Sequence, residues 1–449
     1  MLPSMARPIG IDLFSGVGGL SLGFEQAGFD VVAAVEYDSV HAAAHKFNFP
    51  HCAVLPRSVV GLSGAEIREV AGIGSGRVDV VFGGAPCQGF SMIGQRALDD
   101  PRNALVKEFV RIVRELDANT FVFENVKGLT VGDQRKVLDE VIAAFRDIGY
   151  NVRSPWRVLN AAAYGTPQDR ERLILLGSRR GLPLPDYPPE TTLQAGGADT
   201  LQGVELPRGP NVAEALDDLP EAELFETLND CDCVMTDRWG TPSPYAAEMR
   251  CIHDTAWHYG YRRNWNPAML TASARSEHTE ISRRRFRDTR PGKVEPVSRF
   301  FKLPPDGVAN TLRAGSDSQR GAFTSPRPIH YRTPRCITVR EMARLHGFPD
   351  WFRFHTTKWN GARQIGNAVP PPLARAIAAQ IIKSFGLKPT RPATPINLGD
   401  ERLLEMGMAQ ASAYWGIDVP IGRRNRKSGA HKRTQAEIEA LSDRHLKYA

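Results

Sequence analysis

Short apolar runs, each stopping at a glycine or a polar residue, set the rhythm of the first 180 residues. Ile9 to Phe14, Asp30 to Val35, Asp79 to Phe82, Thr120 to Glu124 and Leu173 to Gly177 are nearly continuous in apolar character rather than alternating. Strands buried on both faces of a parallel sheet read this way. Between them, Leu20 to Ala27 reads as a helix stopped at Gly28, and Asn103 to Leu116 carries Leu105, Phe109, Ile112 and Leu116 on one helical face. Val137 to Phe145 predicts a further helix and Tyr150 to Leu159 an edge strand. This alternation predicts an α/β fold with a doubly wound, mostly parallel sheet, whose ligands bind outside the carboxyl ends of the strands. Phe14, Glu36, Cys87 and Glu124 all fall at such ends, so one crevice can hold them.

The rhythm stops after residue 180. Gly181 to Pro210 is rich in Pro, Gly and Thr, and no clear period returns before Arg335, which predicts an inserted, mostly irregular domain. Thr338 to His346 then reads as a helix. Gln364 to Pro370 reads as a turn before a helix whose Leu373, Ile377, Ile381 and Phe385 form a core stripe. The expected organisation is a catalytic domain in two pieces, 1–180 and 336–388, an insertion at 181–335, and an extension at 389–449. A chain of 449 residues is long enough for more than one core.

Two glycine-rich turns carry candidate chemistry. Ser15-Gly-Val-Gly-Gly19 joins the first strand to the first helix, so a ligand can lie against bare backbone at a helix N-terminus. Glu36 follows 20 residues after Gly16, where an acid can accept the hydroxyls of a ribose. Gly83-Gly-Ala-Pro-Cys87 ends the Asp79 strand and presents a thiol beside a fixed proline dihedral. A lone cysteine after a strand is more often core than nucleophile, so this turn alone does not decide.

The composition, 42% hydrophobic and 24% charged, is that of an ordinary globular protein. The N-terminus lacks an export pattern, no stretch reads as a membrane span, and six scattered cysteines are not a disulfide framework, so a reducing cytosol is the expected compartment. Charge is unevenly placed under a net +7. Residues 181–249 hold 14 acidic side chains against Arg208 and Arg238, whereas 250–335 hold 17 Arg and Lys against 7 acidic residues. The second stretch, with Arg283, Arg284 and Arg285, is where a phosphate backbone is expected. Arg423, Arg424, Arg426, Lys427, Lys432 and Arg433 form a basic tail, read as a solvated face or a phosphate-gripping arm.

Taken in order, these motifs resemble those of the DNA (cytosine-5)-methyltransferases of bacterial and phage type. Asp12 to Leu20 resembles the family's S-adenosylmethionine turn, Gly83 to Ser91 its nucleophile loop, Phe123-Glu-Asn-Val126 its ENV motif, Gln168-Asp-Arg-Glu-Arg172 its QxRxR, and Gln364 to Pro370 its closing motif. Arg340 to Pro349 resembles the segment that packs the two domains together. The resemblance implies methyl transfer from S-adenosylmethionine to C5 of a flipped-out cytosine in a specific duplex sequence, through a covalent bond from Cys87 to C6. It implies Glu124, Arg170 and Arg172 as Cys87's catalytic companions. Cofactor contacts are implied for Phe14, Ser15, Gly16, Gly18, Gly19, Leu20, Glu36, Tyr37, Pro86, Asn367 and Val369. DNA contacts are implied for Ser91, Gln95 and Arg96, with Met92 to Asp100 a closing gate, and for the insertion. Double-stranded DNA is the implied partner, a cognate restriction endonuclease a candidate one, and a monomer the expected state. Where the family often carries Gly-Asp-Ile, this chain has Arg57-Ser58-Val59, so the adenine-binding acid is left unassigned.

Two rival readings share these residues: a tRNA cytosine methyltransferase on the same fold, and a DNA-binding module without catalysis. The long insertion favours duplex reading, and intact Cys87, Glu124, Arg170 and Arg172 favour an enzyme. Cys231, Cys233, Cys251 and His253 are spaced more tightly than structural zinc pairs, and no metal is expected.

Overall fold

The computed structural model describes residues 7–86, 103–132, 134–193, 200–201, 204–315 and 325–419. Its first part alternates as the apolar runs require. Strand β1 (Ile9–Leu13) leads through α1 (Gly19–Ala27) to β2 (Asp30–Val35), then through α2 (Ser39–Asn48) to β3 (Ala53–Leu55). Helix α3 (Gly64–Val70), β4 (Val80–Gly83), α4 (Ala104–Glu115), β5 (Thr120–Val126) and α5 (Gln134–Asp147) continue the pattern. Strands β6 (Tyr150–Val152), β7 (Arg157–Asn160) and β8 (Glu171–Arg179) complete one sheet of order β3-β2-β1-β4-β5-β8-β6, with β7 also on β8. The first five strands are mutually parallel, and β8 runs antiparallel to β5, β6 and β7. The expected edge strand at 150–159 is thus two strands, interrupted around Ser154-Pro155.

Register brings the strand ends level. Leu13 pairs with Val35 on one side and with Gly83 on the other, and Gly83 pairs with Phe123. The residues that follow these positions, Phe14, Glu36, Gly84 and Glu124, therefore emerge along one edge of the sheet. Arg172, opposite Val126, enters the same edge from the antiparallel strand. Phe109, Ile112, Phe121, Phe123 and Phe145 bury the face covered by α4 and α5.

The insertion among its described residues is irregular chain around three short α-helices, α6 (Val212–Leu216), α7 (Pro244–Met249) and α8 (Glu280–Asp288). Helix α9 (Val339–His346) follows, buried along its whole length behind a Thr338/Glu341 capping box. Buried ion pairs tie these parts together. Arg344 of α9 reaches Asp218 at 2.9 Å and Asp350 at 2.6 Å, and Arg263 reaches Glu25 of α1 at 2.8 Å. Gln364 to Asn367, expected as a turn, is the last turn of α10 (Lys358–Asn367); only Ala368 to Pro370 link it to α11 (Pro371–Ser384). Helix α11 packs on α1 so closely that a Cβ at Gly23 would lie 2.3 Å from the Ala374 methyl.

The described part of the extension beyond Pro389 packs against the catalytic domain. Ile396–Asn397 pairs beside Arg263–Asn264, and Gly399 N–H donates to Phe47 O at 2.8 Å. Helix α12 (Met408–Trp415) lies on α2, where Trp415 Nε1 donates to Ser39 O at 3.3 Å. The basic run Arg423 to Arg433 lies outside the described residues.

Candidate active site

Two glycines let β4 reach the crevice. A Cβ at Gly83 would sit 1.9 Å from Leu13 O, and one at Gly84 would sit 2.3 Å from Glu124 Oε2. Neither position tolerates a side chain without displacing a neighbour. Asn125 Nδ2 donates to Ala85 O at 2.9 Å and ties the turn to β5. Pro86 is exposed at its tip. Cys87 follows, outside the described residues, as do Ser91, Gln95, Arg96 and the expected gate Met92 to Asp100.

Glu124 is buried against this turn and meets Arg172 Nε through Oε1 at 2.9 Å. Burial pushes the Glu124 carboxyl above its ordinary range; the nearby Arg172 and Arg170 cations pull it down but do not cancel the effect. The result is a carboxyl group that takes a proton more readily than a free one, held by a guanidinium, one strand away from the turn that leads to Cys87.

Arg170 has a different task from the one expected. It is buried, and its guanidinium donates to Leu312 O at 3.0 Å, Gly366 O at 2.9 Å and Ala368 O at 2.8 Å. These carbonyls belong to the end of the insertion, the last turn of α10 and the link after it. Arg170 therefore holds the joint behind the crevice and has no described contact with the carboxyl of Glu124. Gln168 shares the joint, accepting from Leu312 N at 3.1 Å and donating to His346 Nδ1 at 2.9 Å. His346 Nε2 lies 3.0 Å from Ala368 O, an acceptor only, so the ring is neutral with its proton on Nε2. Burial lowers the His346 pKa, in keeping with that state. No feature of spacing marks His346 for this part; it sits in the Arg340 to Pro349 segment that the sequence assigns to packing.

The first turn is shaped for a ligand. Ser15 N–H donates to Val35 O at 3.1 Å, and Phe14, Gly16 and Gly18 take left-handed backbone angles of 62°, 54° and 102°. A Cβ at Gly19 would meet Val369 O at 2.4 Å, which brings the link after α10 against the turn, whereas one at Gly16 would face open space. Glu36 accepts Gly16 N–H at 2.8 Å through Oε2 and Asp38 N–H at 2.8 Å through Oε1. Its pKa is raised by burial, with a smaller opposing pull from His41. Tyr37 and Asn367 are exposed at the rim, while Leu20 and Val369 pack into the core beneath it. Ser15 Oγ is buried without a hydrogen-bond partner among the described residues. Bare backbone, an acid at the strand end, an aromatic at the rim and an unpaired hydroxyl fit an adenosyl group.

Beneath the turn lies a polar cluster that the motif reading missed. Ser21 Oγ donates to Asp12 Oδ2 at 2.6 Å and sits 3.1 Å from His45 Nε2. Asp12 is fully buried, and burial pushes its carboxyl up to about 8.

The triple arginine on α8 is only partly a phosphate surface. Arg283 pairs with Glu223, and Arg285 Nε lies 3.4 Å from Glu295. Arg284 alone stands 80% exposed, at the edge of reach of Asp288. The acids that occupy its neighbours come from other segments, which a charge count along the chain cannot reveal.

The family model of the C-5 cytosine-specific DNA methylases matches residues 9–383. The chain belongs to that family. Its relatives include the Type II methyltransferase M.XorII of Xanthomonas oryzae pv. oryzae, 57% identical over 94% of this chain and 96% of the relative. The Type II methyltransferase M1.HphI of Haemophilus parahaemolyticus is 32% identical over 83% and 86%. A solved structure described as a DNA modification methyltransferase encoded within an E. coli prophage superposes with a TM-score of 0.66 at 30% identity, covering 84% of this chain and 99% of that one. As a C-5 cytosine-specific DNA methylase, the chain is a DNA (cytosine-5)-methyltransferase.

Proposed function

We propose that this methyltransferase uses S-adenosylmethionine and acts through a covalent bond between Cys87 and cytosine. When bound, the cofactor supplies an electrophilic methyl group. Phe14, Gly16, Glu36 and Tyr37 would hold it, with Glu36 exchanging backbone N–H partners for ribose hydroxyls and Val369 and Asn367 closing the pocket. The observation that supports the reading best is the Glu124 carboxyl, buried beside Arg172 and pressed against Gly84, three residues before Cys87.

Cytosine C5 is too weak a nucleophile for direct methylation. Addition of the Cys87 thiolate to C6 makes C5 enamine-like and moves negative charge toward N3 and O2. A proton held by Glu124 at N3, and donation by Arg172 to O2, stabilise that charge where it develops. After methyl transfer, loss of the C5 proton expels the thiolate and restores the ring. C6 is out of reach within the stack, so the target base leaves the duplex. The likeness to bacterial Type II methyltransferases supports a cognate restriction endonuclease as a partner and a bacterial cytosol as the setting. No described helix is long and apolar enough to cross a membrane.

Duplex DNA bearing 5-fluorocytosine at the methylated position tests the mechanism, because fluorine cannot leave as the C5 proton does. With S-adenosylmethionine, DNA and protein should stay joined through denaturing electrophoresis, with the link on the Cys87 peptide. Cys87→Ser should abolish both adduct and methylation and keep cofactor affinity. An adduct on another cysteine, or full activity in Cys87→Ser, overturns the reading.

A further inference from the structure

The match to the family model ends at residue 383, yet residues 396–415 are built into the fold. They form a strap that runs along α2 from its last turn back to its first. Gly399 N–H donates to Phe47 O at 2.8 Å, and a Cβ at Gly399 would lie 2.8 Å from Phe47 Cα, so the chain presses on the end of α2 there. Leu403 and Leu404, on a short helical turn (Glu401–Leu404), then enter the core that holds Ala43, Ala44 and Phe47.

The strap ends on the residue that opens α2. Ser39 is fully buried, and its hydroxyl is held between Met408 Sδ at 3.1 Å and Ser412 Oγ at 3.2 Å, while its carbonyl accepts Trp415 Nε1–H. Ala411 and Ser412 are buried in this contact, so α12 meets α2 through small side chains. Ser39 directly follows the three residues that shape the cofactor turn. Glu36 accepts Asp38 N–H, and Asp38 Oδ1 caps α2 by accepting Val40 N–H at 3.0 Å and His41 N–H at 3.3 Å. Asp38 Oδ2 meets Arg363 of α10 at 2.9 Å.

The strap also grips the segment that starts α10. Leu404 O accepts Thr356 N–H at 3.0 Å, and His355 Nε2 donates to Met406 O at 3.2 Å while its Nδ1 accepts Thr357 N–H at 3.0 Å. The helix that follows carries Arg363 and, at its end, Asn367. Glu36 and Tyr37 on one side of the pocket and Asn367 on the other are therefore tied to one element outside the family domain. Helix ends open locally at low cost unless tertiary contacts hold them, and here the strap supplies those contacts.

We propose that residues 396–415 position the cofactor pocket. Ser412 and Trp415, acting through Ser39, hold the first turn of α2 so that Glu36 and Tyr37 stand ready for S-adenosylmethionine. They are positioning residues, acting through α2 and not on the reacting atoms. The gain is conformational: a ligand that binds only the ordered turn has its affinity reduced by the fraction of time the turn is ordered. The proposal rests on the reading of that turn as the S-adenosylmethionine site.

The full-length chain carrying Ser412→Ala and Trp415→Leu tests it. If the released turn is ordered about one-tenth of the time, the Kd for S-adenosylmethionine in calorimetry and the KM for it both rise about tenfold. The kcat at saturating cofactor and the affinity for duplex DNA without cofactor should stay at the wild-type level. Trp415→Phe, which keeps a ring but lacks the N–H, should fall between. Where the double variant does not fold, Ser39→Ala, which removes only the shared hydroxyl, carries the same test. A folded variant with unchanged Kd and KM, even one that melts at a lower temperature, makes the strap structural only and overturns the proposal. A loss confined to kcat overturns it too. Hydrogen exchange at the Val40 and His41 amides reads the strap without any ligand, and it should quicken in the double variant. Wild-type protein that binds no S-adenosylmethionine overturns the cofactor reading; unchanged exchange overturns the strap whichever ligand the turn takes.

Discussion

Gly84 and Glu124 occupy one another's space: a side-chain carbon on Gly84 would lie 2.3 Å from Glu124 Oε2. The absence of a methyl group at Gly84, just after β4, is what allows the carboxyl group on β5 to stand beside the turn that leads to Cys87.

Gly84→Ala should therefore push the carboxyl out of place while leaving the cofactor turn untouched. Methyl transfer is expected to fall about 100-fold, the cost of displacing a reacting group by about 1 Å. Cofactor affinity by calorimetry should remain within twofold of wild type. Undiminished turnover would mean that Glu124 has room to shift harmlessly.

Glu36→Ala should weaken S-adenosylmethionine binding by about 1.5 to 3 kcal/mol, as for a lost charged hydrogen bond. Because Glu36 also ties Gly16 N–H to Asp38 N–H in the ligand-free chain, Glu36→Gln should recover part of the thermal stability and little of the affinity. Paired melting and titration curves separate the two effects.

Asp12 makes stability depend on pH in an unusual direction. Its ordinary value is 3.8 and burial pushes it up to about 8, so between these values the folded chain binds a proton that the unfolded chain has lost. Asp12's contribution to stability is then full below pH 3.8, falls as pH rises through that window, and levels off above about 8. Asp12→Asn should flatten this part of the urea-denaturation profile. A slope identical to wild type would show that Asp12 ionises normally.

Arg170→Met should act on folding more than on chemistry. Three carbonyls lose a charged donor, so a loss of at least about 3 kcal/mol is expected, near the values for breaking buried charged networks. Urea denaturation measures it. If residual folded protein keeps a normal turnover per active site, Arg170 is a positioning residue only.

How far the residues speak for themselves differs along the chain. Four of the five parallel strands, β1, β2, β4 and β5, were legible because each is a short apolar run closed by a glycine or a polar residue; β3, only three residues long, showed no such run, and Leu173 to Gly177, which reads the same way, runs antiparallel in β8. Arg170 was grouped with Arg172 on the family resemblance alone, and only tertiary structure shows its guanidinium turned to the carbonyls of Leu312, Gly366 and Ala368. The grouping of Arg283, Arg284 and Arg285 misled because their partners Glu223 and Glu295 come from other segments. Residues 396–415 showed no element in the sequence because their buried Leu403, Leu404 and Ala411 are too few to form a period. The polar cluster of Asp12, Ser21 and His45 crosses two helices and a strand, a relation that no local pattern encodes.

The carbonyl partners of Arg170 at Leu312, Gly366 and Ala368 lie 142, 196 and 198 residues further along the chain. During synthesis from the N-terminus, the sheet carrying the turn before Cys87, Glu124 and Arg172 emerges well before any of them. A nascent chain shorter than this holds the chemical groups but not the frame that aligns them, so the ability to modify DNA arrives late in translation.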